Sequence, residues 1–326
     1  MSLWSAKSNS MDECFEQSQS YAVRPLNRAR WNVLDILEWI SRRSVSAHLF
    51  FDVDIEEADK LAASLSHSGE KVTITTILLK AIAIAQLDHP ASRSYMLPWG
   101  KVVVRPVPVA GFTVERVVEG QPAVFFASIT DAHTKSLKEI AGEVAAYGHN
   151  DVNSVTQLAK ETFLSKVPWI LRQLYILVGR NVPALREVIN PATFGLTSLG
   201  KFGLGAPVAP NVTPTILGIG GMLVKPVARD GEVVIKKMMS ICLSADIRVL
   251  SMYQGARFFN RVKYLLESGL KDYLDDSEKE ELKKAQDLAA AAEVDSEKKP
   301  EKTEESDPER EQTASRFVGR SLNDAA

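Results

Sequence analysis

The chain has 326 residues, 45% of them apolar and 25% charged, a globular composition long enough for one large domain or two small ones, so disorder throughout is excluded. Its 39 Lys and Arg against 41 Asp and Glu leave a formal charge of −2, which gives no electrostatic reason to expect nucleic acid as a partner. The balance is uneven along the chain: residues 275–311 carry 15 acidic and 7 basic side chains, so a mildly basic body precedes an acidic tail.

Residues 1–20, rich in Ser, Asn and Gln, read as a flexible leader with no apolar targeting segment. No stretch approaches the roughly 18 uninterrupted apolar residues of a membrane span. Val33, Leu34, Leu37 and Ile40 recur at helical spacing over residues 32–43. Residues 48–55 read as a strand, and 55–66 as a helix with Ala58, Leu61, Ala62 and Leu65 on one face. Residues 73–87 are apolar nearly all round, which predicts a buried helix. Three strands are expected over 101–107, 109–114 and 123–129, where Val, Phe and Ile are punctuated by Pro and Gly. A helix follows over 136–147.

The stretch 152–189 reads as helical, interrupted by Pro168 and Pro183. Its segment 169–178, WILRQLYILV, is too short to span a bilayer, so it reads first as a helix packed on the domain or at a subunit interface. Peripheral membrane contact through 169–178 is the alternative, because Lys166, Arg172 and Arg180 flank its Trp, Tyr and Leu residues. Strands are then predicted over 193–198, 215–220, 222–228 and 233–243, with a hairpin turn at Asp230-Gly231. A last body helix is expected from about 251 to 267. Ser277 to Glu280 looks like a capping box opening a solvated helix to about 294, and residues 295–312 have the composition of disorder.

The glycines at 195, 200, 203 and 205 match neither G-x-G-x-x-G nor a P-loop and read as a strand followed by a glycine-rich bend. Ser198 is not in a G-x-S-x-G nucleophile elbow. The five histidines, His48, His67, His89, His133 and His149, lack metal-ligand spacing, so no metal site is expected. Two cysteines, Cys14 and Cys242, cannot build a disulfide framework, and their scarcity fits a reducing compartment, with the cytoplasm as the expected location.

Seven local sequences occur in a telling order: Val53-Asp54-Ile55; the run from Val72 to Ala81; Ser136-Leu-Lys-Glu-Ile140; Thr193-Phe-Gly-Leu-Thr-Ser-Leu-Gly200; Pro214 to Gly220; Leu243-Ser-Ala-Asp-Ile-Arg-Val249; and Gly255-Ala-Arg-Phe258. Together they resemble the catalytic domain of the acyltransferase component of 2-oxo acid dehydrogenase complexes, a relative of chloramphenicol acetyltransferase. The resemblance implies an α/β fold of two layers (α+β), chloramphenicol acetyltransferase-like, with a mixed sheet covered by helices on one side. It implies trimers with active sites at subunit boundaries, and coenzyme A or another acyl thioester as ligand. The domain is expected over 21–271, with a helical insert at about 151–190 and an acidic tail over 272–326. With no lipoyl-bearing module read upstream, the chain is expected to be similar to stand-alone members.

In that family a histidine in D-H-R-x-x-D-G takes the proton from the attacking thiol or hydroxyl, and a Ser or Thr hydroxyl stabilises the oxyanion. The resemblance carries the hydroxyl positions onto Thr197 and Ser198, and the flanking ion pair onto Asp246 and Arg248. The catalytic histidine position holds Ile247, the aspartate position Ser251 and the glycine position Met252. Isoleucine cannot accept a proton. Two readings follow: a non-catalytic binding or hetero-oligomeric partner, as a homo- or hetero-trimer, or an acyltransferase with a non-standard base.

Overall fold

The structure, a computed structural model, describes residues 35, 37–38, 44–66, 71–97, 100–118, 121–149 and 167–297. The leader, the segment 151–166 and most of the helix expected over 32–43 lie outside the described residues. The chain divides into one unit ending at Lys279 and a second from Glu280 to Ala326.

Eight strands and seven helices are described. In chain order they are β1 (Ser46–Asp54), α1 (Glu56–Leu65), α2 (Ile74–Asp88), β2 (Ser94–Met96), β3 (Val102–Val104), β4 (Val109–Val118), β5 (Gln121–Thr130) and α3 (Leu137–His149). There follow α4 (Trp169–Asn181), α5 (Pro183–Ile189), β6 (Phe194–Ser198), β7 (Thr215–Arg229), β8 (Glu232–Asp246), α6 (Met252–Glu267) and α7 (Asp276–Glu297). Six strands form one mixed sheet in the order β1-β8-β7-β6-β4-β5. β6 runs parallel to both β4 and β7, and the remaining pairs are antiparallel.

Side chains alternate across this sheet, and the two faces differ in chemistry. Leu49, Phe51 and Val53 of β1 share a face with Ile241 and Leu243 of β8, Leu217 and Ile219 of β7, and Leu196 of β6. The helices α1, α2, α3 and α6 pack on this apolar face. Phe51 stacks on Phe259 of α6 with ring centroids 3.7 Å apart, and Phe112 meets Tyr147 of α3 edge to face. α2 is the centre of the layer. Its residues from Thr76 to Gln86 are all buried, and Thr73 and Thr76 close a capping box at its N-terminus.

One polar network inside this core fixes where β6 begins. Thr193 Oγ1 donates to Gln86 Oε1 over 2.6 Å, and Gln86 Nε2 donates to Ser92 O and to Thr215 Oγ1. Thr193 Oγ1 also accepts from the Val109 N–H at 2.9 Å, tying β6 to β4. Every member is buried and paired, so the network sets position and register at little cost.

The opposite face carries Phe50 and His48 of β1, Cys242 and Ser244 of β8, Gly218 of β7, Thr197 of β6 and Thr113 of β4. Residues 203–214 lie across the middle of this face as a strap. Gly221 N–H donates to Leu204 O at 2.8 Å, and a Cβ on Gly218 would stand 1.8 Å from Pro207 O. The glycines of this region thus admit a close backbone approach, and Gly203 takes a left-handed φ of 66° at the bend.

The structure departs from the sequence expectations in four places. The strands expected over 215–220 and 222–228 are one strand, because Gly220-Gly221 forms a bulge between Ile219 and Met222 instead of a break. The strand expected over 101–107 is only Val102–Val104, and its short partner β2 was not anticipated. The cap of α7 is Asp275, not Ser277: the Glu278 N–H donates to Asp275 Oδ1 at 2.7 Å, and Glu278 Oε2 accepts from Asp275 N–H. Finally, Trp169, Ile170, Leu171, Leu174, Leu177 and Val178 of α4 are exposed instead of packed on the domain, as a helix at a subunit interface also is in a single chain. The hairpin turn is as expected, with φ of 51° at Asp230 and 87° at Gly231.

Candidate functional site

β6 ends with two hydroxyls that face opposite ways. Thr197 lies level with Gly218 and, through it, Cys242, which puts it on the strap side of the sheet. Its Oγ1 accepts a hydrogen bond from Thr113 Oγ1 at 3.3 Å, which leaves its own proton to donate. Ser198 lies level with Ile219 and Ile241 and so turns toward the helical side, where its Oγ accepts from Gly200 N–H at 3.3 Å. An exposed Lys201–Glu115 ion pair closes over the outer end of β6 at 3.0 Å.

The end of β8 builds the second part of the site. The main chain turns at Asp246, whose carbonyl accepts from Val249 and Leu250 N–H at 3.0 Å each. Asp246 and Arg248 form a fork: Arg248 Nε lies 2.9 Å from Oδ1 and 3.1 Å from Oδ2, its second donor nitrogen reaches Oδ2, and its backbone N–H reaches Oδ1 at 3.1 Å. This pairing holds the Arg248 guanidinium above its usual pKa and occupies the carboxylate. Ile247 stands between the two, 43% exposed, with its backbone N–H donated to Val45 O.

Ser251 caps α6. Its Oγ accepts from Gln254 N–H at 3.3 Å, while the Gln254 side chain accepts from Ser251 N–H at 3.1 Å. Aspartate is an equally good N-cap, so serine here keeps the structural role of the position and supplies no carboxylate. Met252, the first residue of α6, is exposed.

Among the described residues, neither Cys242 nor Tyr253 is placed to act as a base at this turn. Cys242 is fully buried, burial raises its thiol pKa, and its sulfur lies 3.8 Å from Ser244 Oγ. Tyr253 points into solvent with the Arg257 guanidinium 5.9 Å from its ring centroid. A cleft beside the turn is lined by Ser44, Tyr95, Arg186, Asn211, Asp246 and Arg248. Arg186 lies 3.7 Å over the Tyr95 ring, and the buried Tyr95 hydroxyl has no hydrogen-bond partner in the structure.

The structure therefore brings Asp246, Ile247, Arg248 and Ser251 together and keeps Thr197 and Ser198 away from them. Thr197 is level with Cys242, five residues before Ile247 and two strands away, roughly 15–20 Å in all. The residue that sequence reasoning passed over is His48. It lies opposite Ser244, with Nδ1 2.8 Å from Ser244 Oγ, and is the one imidazole on Thr197's sheet face among the described residues. Strand alternation around 48–54 was the available signal. The described residues hold no cluster of His, Cys, Asp or Glu that could bind a metal ion.

Comparison with known proteins gives the family and the fold. Residues 18–151 and 182–272 match the family described as 2-oxoacid dehydrogenases acyltransferase (catalytic domain). The chain belongs to this family. The match omits residues 152–181, which include the whole of α4. Among curated relatives, the lipoamide acyltransferase component of the branched-chain α-keto acid dehydrogenase complex of Pseudomonas putida is 24% identical over 74% of this chain and 52% of its own length. The dihydrolipoyllysine-residue acetyltransferase component of the pyruvate dehydrogenase complex of Pseudomonas aeruginosa is 27% identical over 70% of this chain and 37% of its own. The chain thus spans about half or less of the length of these relatives.

Among solved structures, the dihydrolipoamide acetyltransferase of Azotobacter vinelandii matches with a TM-score of 0.59 at 23% identity, covering 78% of this chain and 94% of its own. The cubic core of a pyruvate dehydrogenase multienzyme complex matches with a TM-score of 0.58 at 21% identity, over 78% and 94%. These establish the fold. Among the described residues no helix is long and apolar enough to cross a membrane.

Proposed function

We propose that this protein is a member of the acyltransferase family without a general base of its own, binding an acyl thioester such as acyl-CoA as a non-catalytic or hetero-oligomeric partner in the cytoplasm. The observation that carries the reading is Ile247: an aliphatic side chain at the family's histidine position, between a carboxylate and a guanidinium that satisfy each other. Loss of general-base catalysis costs about 10²–10⁴ in rate. The Azotobacter relative was investigated for the roles of a serine, a histidine and an asparagine in catalysis, the asparagine four residues after the histidine. Ile247 and Ser251 have the same spacing.

Separation of Thr197 from the Ile247 turn supports a site shared between chains. In such an assembly, for which a trimer is the simplest form, the partner supplies the histidine. The acceptor thiol gives its proton to that imidazole, and its sulfur attacks the acyl carbonyl. The Thr197 hydroxyl donates to the oxyanion; collapse expels the CoA thiolate, which takes the proton back. The dihydrolipoyl thiol, named for the curated relatives, is the first acceptor to test.

The test combines calorimetric binding of acetyl-CoA and longer acyl-CoAs with an assay of transfer to dihydrolipoamide, alongside light scattering of the purified chain. Binding without transfer is expected. Transfer by the wild-type chain alone overturns the reading, as does failure of every thioester to bind.

A second reading, an acyltransferase with a non-standard base, has one observation in its favour. His48 shares a sheet face with Thr197, three strands and about 16 Å away, so the two would act together only across a subunit boundary; its contact with Ser244 engages Nδ1 and leaves Nε2 available. Loss of wild-type transfer in His48→Gln is the result this reading requires.

A further inference from the structure

α4 is an amphipathic helix turned inside out. A surface helix of a globular protein places its apolar stripe on the core and its polar residues in water. Here two polar side chains in the middle of the helix face the protein: Arg172 is buried and ion-paired with Asp35, and Gln173 Nε2 donates to Asp35 Oδ1 at 3.0 Å. Gly179 is also buried, where an added Cβ would collide with Ile189 of α5.

Facing outward are Trp169, Ile170, Leu171, Leu174, Leu177 and Val178, between 42% and 71% exposed. Ile170, Leu174, Leu177 and Val178 follow the i, i+4, i+7, i+8 pattern of one continuous stripe. Contiguous apolar surface of this kind marks an interaction site. Propensity does not explain the arrangement, since the Arg172–Asp35 pair selects the orientation and holds the stripe outward.

We propose that α4 docks this stripe on an anionic membrane surface, as an interfacial helix lying in the plane of the headgroups. Charge selects this occupant. Between Glu161 and Glu187 the segment carries Lys166, Arg180 and Arg186 and no acidic residue, besides Arg172, whose charge is buried against Asp35 and is not presented to a membrane, within a chain whose overall charge is −2. An apolar stripe within a locally cationic segment suits the acyl–headgroup boundary of an anionic leaflet. Length agrees: 13 residues make about 20 Å of helix, too short for the roughly 30 Å hydrocarbon core and sufficient to lie along it. A tryptophan begins the helix, a side chain suited to the interface. The family match skips residues 152–181, so the feature is additional to the acyltransferase scaffold, and it does not rest on the function proposed above.

The experiment is flotation of the full chain with vesicles of phosphatidylcholine alone and of phosphatidylcholine with phosphatidylglycerol, at low and high salt. Variants are Ile170→Glu, Leu174→Glu and Leu177→Glu, whose exposed positions leave the core untouched, and Val233→Glu on the exposed part of the β7–β8 hairpin as control. The wild type is expected to float with the anionic vesicles and to be released by salt. Each α4 variant is expected to lose about tenfold in partitioning, the worth of one inserted Leu or Ile, while Val233→Glu behaves as wild type. Absence of flotation overturns the proposal, and so does flotation that the α4 variants do not weaken. If the α4 variants instead dissociate an oligomer of this chain while vesicles are ignored, the stripe is a protein interface and the membrane assignment fails.

Discussion

Thr197 and Ser198, adjacent in β6, project to opposite faces of the sheet, and Thr197 alone shares its face with His48. The two hydroxyls are therefore not interchangeable. In an Ile247→His/Ser251→Asp background that transfers acyl groups, Thr197→Val is expected to lower kcat/KM by about 10²–10³, the cost of losing an oxyanion donor, and Ser198→Ala to leave it near the parent value. Because such a donor acts mainly in the transition state, Thr197→Val should leave acyl-CoA affinity almost unchanged. Steady-state kinetics with calorimetry separate the two quantities. The reverse ranking would assign the role to Ser198.

The strap over the sheet depends on the absence of one methyl group. Gly218→Ala places a carbon 1.8 Å from Pro207 O, and backbone cannot yield as a flexible side chain does. The expected loss is about 1–3 kcal/mol or more, read as a lower Tm together with faster proteolysis within residues 203–214. Gly231→Ala, with φ of 87° and open space around it, should cost only about 1 kcal/mol and leave the strap resistant. Equal proteolysis of the two variants would contradict the strap's attachment at Gly218.

Asp275 gives a pH signature. Burial works against its ionisation, but the N–H groups of Glu278 and Ser277, the Ser277 hydroxyl and the Lys80 charge outweigh it and hold its pKa below the ordinary 3.8. A depressed carboxylate contributes stability that is present above the unfolded pKa and lost as pH falls through the folded one. Asp275→Ala should cost about 1 kcal/mol at neutral pH, as an N-cap loss. The gap should close below pH 3.8. Urea unfolding at the two pH values checks this, and a gap that persists in acid would contradict it.

Much of the fold is legible in the sequence because the sheet is half-buried. Alternation marks β1, with Leu49, Phe51 and Val53 toward the helices, and the unbroken apolar run of α2 marks its burial on all sides. Alternation also contains the opposite facing of Thr197 and Ser198. The Gly220-Gly221 pair is ambiguous locally, since a bulge and a strand end look alike in composition. Asp275 and Ser277 are both competent caps, and the choice follows from the buried Glu278, which accepts from Leu137 N–H at 2.5 Å, a contact 141 residues apart in sequence. Such long-range pairing leaves no local trace. For the same reason the outward face of α4 is not readable from residues 169–178, because its orientation depends on Arg172 meeting Asp35.

The proposal that position 247 lacks a base is tested most directly by supplying one. Acyl transfer from acetyl-CoA to dihydrolipoamide should be measured for the wild type, Ile247→His, and Ile247→His combined with Ser251→Asp, a change that keeps an N-cap on α6. The wild type should show no transfer above the uncatalysed rate. The double variant should gain about 10²-fold or more, the usual worth of a positioned base, and Ile247→His alone should gain less. Transfer by the wild type that disappears in His48→Gln would contradict the account and make this chain an acyltransferase with a displaced base.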